Sequence, residues 1–426
     1  MRYFVSFLIF FLLFAPNIFA QQSQEAIETQ LRELKSVVEN LQKTTQEQNK
    51  RIEELEKQNG QLRQKLESPQ AQLVPPPAAT IPQSPIAAGL QAFNPEIGVV
   101  GDIVATSSES RGDSEGNDRI ALRELELVLG HYVDPYSRFD ATISFSDSEN
   151  PNVEEAHLSH WGLPWDIKGS LGRFRPKIGK ACAIHRDSLD TVDEPFVVAR
   201  YFGAEGFSRT GFELHRLFEA PFGLDSELTF GLLEGGVGEG GTAFGSSRRH
   251  PTVFSHLKLY KDITDVSSFE LGLTHLAGSK DNDPKMEANV LGFDAVYLRN
   301  FSAWNRLKLQ SELYFQDRDE SFSAQDDGTI TKFRDNPFGF YTLADLRLNQ
   351  RWASGLRFDY VELVDNPLVN KREMDLGYSA YLTLHQSEWA RWRLQYRHTD
   401  YATGKNDDAV MFQGTFAIGV HKHKLQ

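Results

Sequence analysis

The residues most able to do chemistry gather between Gly169 and Gly211, in the run GSLGRFRPKIGKACAIHRDSLDTVDEPFVVARYFGAEGFSRTG. There Arg173, Arg175, Lys177, Lys180, Arg186 and Arg200 stand against Asp187, Asp190, Asp193 and Glu194, with His185 and Glu205 among them. Opposed fixed charges at this density create a transverse field and a size limit for whatever passes between them. They select, and they break no bond. Covalent catalysis needs a nucleophile held beside a base, and the serine, histidine and carboxylate residues here form no recognisable nucleophile motif. The expectation is a chain that is not an enzyme and uses no cofactor.

Metal ligation is the other chemistry to weigh. The candidate imidazoles are His157 and His160, His185, His250 and His256, and the pair His421 and His423 near the end. Zinc asks for three or four donors in a defined geometry, and no spacing here supplies them, so His185, His421 and His423 stand only as weak candidates. The single cysteine, Cys182, excludes an internal disulfide framework and a cysteine-based zinc cage.

What must position these residues is a repetitive chain. It has 426 residues, a net charge of −14 and 12% aromatic residues, and beyond its N-terminus it lacks the roughly 20-residue apolar run of a transmembrane helix. The acidic balance and the lack of a basic domain argue against a nucleic-acid partner. From Phe93 onward the signal is alternation with a period of two. Leu307, Leu309, Leu313 and Phe315 oppose Arg306, Lys308, Gln310 and Glu312; Trp392, Leu394 and Tyr396 oppose Arg391, Arg393, Gln395 and Arg397. One face is apolar and the other polar, as in a membrane barrel with a wet lumen. About sixteen such segments can be placed, the first near Glu96 and the last near Ala409. Their connections alternate between short turns (GLPWD, FEAPFG, NQR) and long polar loops (SSESRGDSEGND, EGGVGEGGTAFGSSRRH). That wiring belongs to bacterial outer-membrane barrels, with an even strand count and both barrel ends on the periplasmic side. Trp161, Trp165, Trp304, Trp352, Trp389 and Trp392 fall near strand ends, where interfacial girdles lie.

The segments before the barrel read differently. Residues 1–20 have the charged start, apolar core and small terminal residue of a secretory signal peptide. Residues 21–67 keep a strict heptad seam, with Leu31, Val38, Thr45, Ile52, Asn59 and Leu66 at one position and Ile27, Leu34, Leu41, Gln48, Leu55 and Leu62 at the other, the polar members costing stability. They predict a periplasmic coiled coil and hence a homo-oligomer, with a trimer preferred because porins often trimerise. Residues 68–92 form a proline- and alanine-rich linker, and residues 93–426 the barrel. The fold class is therefore an all-β transmembrane barrel of about 16 antiparallel strands with an N-terminal α-helical coiled coil, placed in the outer membrane with lipid as its surroundings.

A barrel of this size leaves an aqueous channel, and the alternation turns Arg347, Arg357, Arg391, Arg393 and Arg397 toward it as pore wall. Glu124 and Glu126 face the same lumen from an early strand. The charged stretch lies between the fifth and sixth strands and is thus the third long loop. In general and phosphate-selective porins that loop folds inward and sets the constriction, and the position here resembles theirs. The constriction is therefore expected at Arg173, Arg175, Lys177, Lys180, His185, Arg186, Asp187, Asp193, Glu194, Arg200 and Glu205.

The wording of the stretch is more specific still. GRFRPKIGK, His185 and DTVDEPFVVARYFGAEGFSRTGFEL, with FNPEIGVVGD at Phe93 to Asp102, resemble a family of bacterial outer-membrane proteins labelled zinc-regulated or TonB-dependent receptors. The matching residues are Gly172, Phe174, Arg175, Gly179, His185, Asp193, Pro195, Gly203, Glu205, Gly206 and Gly211. The resemblance implies a barrel and a metal-linked uptake role. Members carry further histidines where this chain has Arg186 and Asp187, and a TonB-dependent receptor pairs 22 strands with a globular plug, for which coil and linker leave no room. The sequence thus points to passive diffusion of small hydrophilic solutes, anionic ones included. The alternatives are a receptor or metal-uptake protein, or a tether in contact with the cell wall.

Overall fold

The computed structural model describes residues 95–109, 118–147, 150–238, 240–245, 247–280, 286–323, 330–364 and 372–419. The signal peptide, coiled coil and linker expected over 1–92, and the tail residues His421 and His423, lie outside the described residues.

Seventeen strand segments follow one another: β1 (Glu96–Ser108), β2 (Arg119–Asp134), β3 (Ser137–Phe145), β4 (Asn152–His160), β5 (Ile167–Phe174), β6 (Arg209–Ala220), β7 (Leu224–Leu233), β8 (Thr252–Thr264), β9 (Ser267–Ser279), β10 (Glu287–Asn300), β11 (Arg306–Ser323), β12 (Ile330–Asp335), β13 (Phe338–Arg347), β14 (Trp352–Glu362), β15 (Met374–Ser387), β16 (Ala390–Asp400) and β17 (Asn406–Gly419). Except for β12 and β13, which both pair with β11, each pairs antiparallel with its chain neighbours, and β17 closes on β1 from Gly98 opposite Gly419 to Ser108 opposite Ala409. β12 and β13 pair with successive parts of β11 and flank Asn336 and Pro337. Pro337 has no N–H for the ladder, so these two are one interrupted strand and the barrel has sixteen positions, as the alternation predicted.

Period two accounts for the inside and the outside. Along β11, Leu309 and Phe315 are exposed on the outer face while Glu312, Tyr314 and Gln316 are buried. The same inversion holds on β16, where Leu394 and Tyr396 are exposed and Arg391, Arg393 and Gln395 buried. Water would not tolerate so continuous an apolar exterior. With every strand except the short β12 hydrogen-bonded on both edges, the cylinder meets the condition for a span in lipid, and it lies in the bacterial outer membrane.

Five of the six tryptophans, Trp161, Trp165, Trp304, Trp352 and Trp389, are exposed in or beside short turns. The tryptophan girdle is thus one-sided and marks the short-turn rim.

Candidate functional site

The chain leaves β5 at Phe174 and returns at Arg209, and the segment between them turns into the barrel. Ile178, Cys182, Val197, Val198, Phe202 and Phe207 are fully buried there. They join one core with wall residues Tyr314, Tyr341, Leu343, Val361 and Tyr381. A short helix, α1 (Phe196–Tyr201), starts after Pro195, whose fixed φ suits a helix start.

Three groups of wall residues hold this segment. Near its start, Gly179 sits at φ +58°, where a Cβ would lie 2.1 Å from both Glu312 Oε2 and Tyr314 Oη. Only glycine fits that approach. Glu312 Oε1 then accepts the Ala181 N–H at 2.7 Å, and Tyr314 Oη donates to Glu312 Oε2 at 2.9 Å. In the middle, Asp193 meets β14 and β16: Arg357 Nη2 donates at 3.1 Å, Arg397 Nη1 at 2.8 Å and Gln395 Nε2 at 2.5 Å. Gln395 Oε1 also accepts the Val192 N–H at 2.7 Å, and Arg393 donates to the Thr191 carbonyl at 2.8 Å. Toward the end, Arg200 pairs with Asp375 at 2.9 Å and the Phe196 N–H reaches Asp359 at 3.0 Å.

The expected opposition of charges within the loop is replaced by pairing between loop and wall. Arg175 bonds Glu154 at 2.7 Å, Lys180 pairs with Glu270 and Asp294, and Lys308 pairs with Asp190. His185 packs against Glu126, Glu154 and Glu155. Arg186 donates to the Ala204 carbonyl, and the Asp187 carbonyl accepts from Arg391. Arg173 belongs to the wall strand β5 and not to the inward segment, within 3.9 Å of Glu234, and Lys177 lies just beyond that strand, 3.4 Å from Glu227. Glu205 is 3.5 Å from Asn152.

Nor is the arginine ladder of the wall open as a whole. Arg357, Arg391 and Arg393 are buried and bind loop oxygens, while Arg347 donates to the carbonyls of Asn349 and Gln350 in a short turn. Arg397 keeps one face on a cavity of about 310 Å³ shared with Arg123, Arg186, Arg200, Asp193 and Glu194. A second cavity, about 470 Å³, is lined by Arg173, Arg175, Arg209 and Arg248 together with Glu154 and Glu205.

Two acids in the first cavity differ sharply. Burial opposes ionisation of both, but the Arg357 and Arg397 guanidiniums outweigh it at Asp193 and hold its carboxyl well below the usual range. Glu194 accepts no hydrogen bond on either oxygen, and burial pushes it up to about 7 despite Arg186, Arg175 and Arg123 nearby. Burial likewise pushes the Cys182 thiol upward, so it is an inert core group.

Period-two reading missed several of these residues for a common reason. The β1–β2 register shifts so that Asp102 faces Glu124 and Ile103 faces Leu122, leaving Arg123 in a bulge. In β4, Val153 and Glu155 face Ile143 and Thr142, leaving Glu154 in another. A bulge re-aims a side chain, which is how the consecutive residues Glu154 and Glu155 both reach His185. The Glu-Glu pair in an alternating strand was the available signal. A second surprise is the glycine-rich loop after β7, which packs on the inward segment: Gly238 N–H donates to Phe202 O at 2.9 Å and Ala243 N–H to Tyr201 O at 2.9 Å. Its glycines permit this approach, since a Cβ on Gly238 would lie 2.7 Å from two loop carbonyls.

A closed sixteen-position barrel with a lipid-facing exterior and a third loop folded into a charged lumen defines a porin-type fold. Solved structures of that class superpose on it. The outer membrane channel DcaP of Acinetobacter baumannii matches with a TM-score of 0.50 at 11% identity, covering 76% of this chain and 96% of its own. Pseudomonas putida OprB gives 0.51 at 10% identity, over 78% and 96%. The anion-selective porin from Comamonas acidovorans gives 0.50 at 12%, over 76% and 99%. At such identities the likeness is one of fold. In sequence, the chain is 26% identical over 328 residues to an uncharacterized protein of Aquifex aeolicus (strain VF5), covering 70% of this chain and 68% of that one. No protein-family profile matches, so the receptor label implied by the sequence resemblance gains no support, and sixteen wall positions set the barrel apart from 22-stranded transporters.

Proposed function

We propose that the protein is a passive channel for small hydrophilic solutes, narrowed by its third loop. One observation carries this reading: Asp193 fastens the inward segment to β14 and β16, across the lumen from where it leaves β5, and the cavity beside it is lined by Arg123, Arg186, Arg200 and Arg397. Arg123, Arg200 and Arg397 are paired with Asp102, Asp375 and Asp193. The field of this cavity therefore rests on Arg186, which donates to the Ala204 carbonyl, set against Glu194, which burial holds neutral below about pH 7, and it favours small anions over cations. The arginines of the wall contribute less to this than their number suggests, because most are committed to loop oxygens. Reconstitution of the folded protein in planar bilayers tests the reading. Discrete conductance with a reversal potential on the anion side is expected in a salt gradient; silent, correctly folded protein would end the channel hypothesis, and cation selectivity would end the anion preference.

Assembly as a homo-oligomer through the heptads of 21–67 belongs to the same proposal and rests on the seam, with a trimer preferred because porins often trimerise. Removing residues 24–67 is expected to cut the detergent-corrected mass by light scattering to that of a single chain. An unchanged mass would assign assembly to the barrel itself.

A further inference from the structure

Four glutamates converge where the inward segment first passes the wall. Glu124 and Glu126 come from β2, Glu154 and Glu155 from β4, and His185 of the loop lies among them. His185 Nδ1 is 3.0 Å from Glu154 Oε2 and 3.3 Å from Glu126 Oε1, while its Nε2 is 3.5 Å from Glu155 Oε2. The side chains of Glu126, Glu154 and His185 are at most 3% exposed. The side chains of Glu124 and Glu154 lie within hydrogen-bonding reach of each other, so one proton can be shared between them. Among the described residues, Arg175 is the guanidinium bonded into this group, at 2.7 Å from Glu154 Oε2. The buried Glu126 Oε1, 3.3 Å from His185 Nδ1, accepts no hydrogen bond. An ionised carboxylate only accepts, and with one proton shared between Glu124 and Glu154 the four glutamates keep three negative charges against the single guanidinium of Arg175, a deficit of two that a divalent cation would fill.

We propose that Glu126, Glu154 and His185 form a divalent-metal site that fastens the inward loop to the wall. One donor atom from each of the three lies within 4.8 Å of the others. An ion held tetrahedrally at about 2.1 Å has donor separations of roughly 3.4 Å, so the 3.0 and 3.3 Å spacings at Nδ1 fit a common ion after small shifts. Glu155 stands at the far ring nitrogen, where a carboxylate accepting the Nε2 proton fixes the tautomer that leaves Nδ1 for the metal. One imidazole with two carboxylates suits ions of borderline hardness such as Zn²⁺ and Mn²⁺ rather than Ca²⁺, which takes six to eight oxygens. Glu154 also lines the 470 Å³ cavity, which gives the ion a route in. The β4 bulge is what brings Glu154 into the set, so the site depends on a local irregularity of the barrel.

The test uses the full chain, folded in detergent, stripped with EDTA and titrated calorimetrically with Zn²⁺ and, separately, Mn²⁺. A His421→Ala/His423→Ala background removes the tail imidazoles as competitors. The expected result is one ion per chain, with affinity lowered at least tenfold in Glu126→Gln and in His185→Gln. Glu155→Gln, which spares the direct donors, is expected to weaken binding by about tenfold. Each variant is checked for the compact mobility of a folded barrel in unheated electrophoresis, and Glu126→Gln alone decides if His185→Gln does not fold. Absence of saturable binding of either ion up to about 1 mM, the weak end of extracellular carboxylate sites, would overturn the proposal. So would affinity left unchanged by the Glu126 substitution.

Discussion

Adjacent acids, Asp193 and Glu194, have opposite fates because their partners differ. Asp193 accepts from Arg357, Gln395 and Arg397, so its charge is fixed and structural. Glu194 faces Arg186, Arg175, Arg123 and Arg357 without a hydrogen bond from any, and shares its cavity with Arg200, Arg397 and Tyr401. Burial raises its pKa from 4.5 to about 7. It is neutral in mildly acidic solution and charged above neutrality. The sign follows from linkage: the neutral form suits the folded loop, so its contribution to stability is complete below 4.5 and lost as pH rises through about 7. The lumen beside it gains negative charge over the same interval. The anion-to-cation permeability ratio, read from reversal potentials, should therefore fall between about pH 6 and pH 8. Glu194→Gln should flatten that fall, and a slope unchanged in the variant would assign the titration to another group.

At the scale of elements, the wall and the inward segment obey different rules, and so they differed in legibility. The wall strands follow one periodicity against two solvents, lipid and water, so Leu309 and Glu312 can be assigned to opposite faces from spacing alone. The bulges at Arg123 and Glu154 escape that rule because they insert one residue into one strand and flip the faces beyond it. The third loop could be located by counting strands and recognised by charge density, yet its partners could not be read. Asp193 finds Arg357, Gln395 and Arg397 through contacts some 160 to 200 residues away in the chain, which no local pattern encodes. Its glycines were the better guide. Gly179→Ala would force a Cβ into Glu312 and Tyr314 and add the left-handed penalty of about 1–2 kcal/mol. The loop should then seat less closely against β11 while the barrel stays folded. Liposome swelling with sugars of increasing size is expected to show a larger exclusion limit than in the parent protein.

For the whole molecule, the question is whether the inward segment is a core or a gate. Its apolar residues form the main buried cluster of the barrel, together with Tyr314, Tyr341 and Tyr381, as the core of a soluble domain would. Yet the cylinder closes without it, because β1 pairs with both β2 and β17 and every strand except the short β12, which pairs with β11, has two hydrogen-bonded neighbours. Barrel closure and lipid burial are thus separable from the filling of the lumen. The wall groups that the segment satisfies, Arg357, Arg393, Gln395 and Glu312, already carry some bonds within the wall, such as Arg357 to Asp359 at 2.7 Å and Arg393 to Thr383 at 3.0 Å. Water would supply the rest once the lumen opened. Replacing residues 177–206 with a short Gly-Ser bridge should therefore yield a folded, heat-modifiable barrel whose single-channel conductance rises several-fold. It should also have weakened ion selectivity, since Arg186, Arg200, Asp193 and Glu194 leave with the segment. A chain that could no longer fold would show the segment to be a structural core, and a folded barrel of unchanged conductance would place the narrowest point elsewhere.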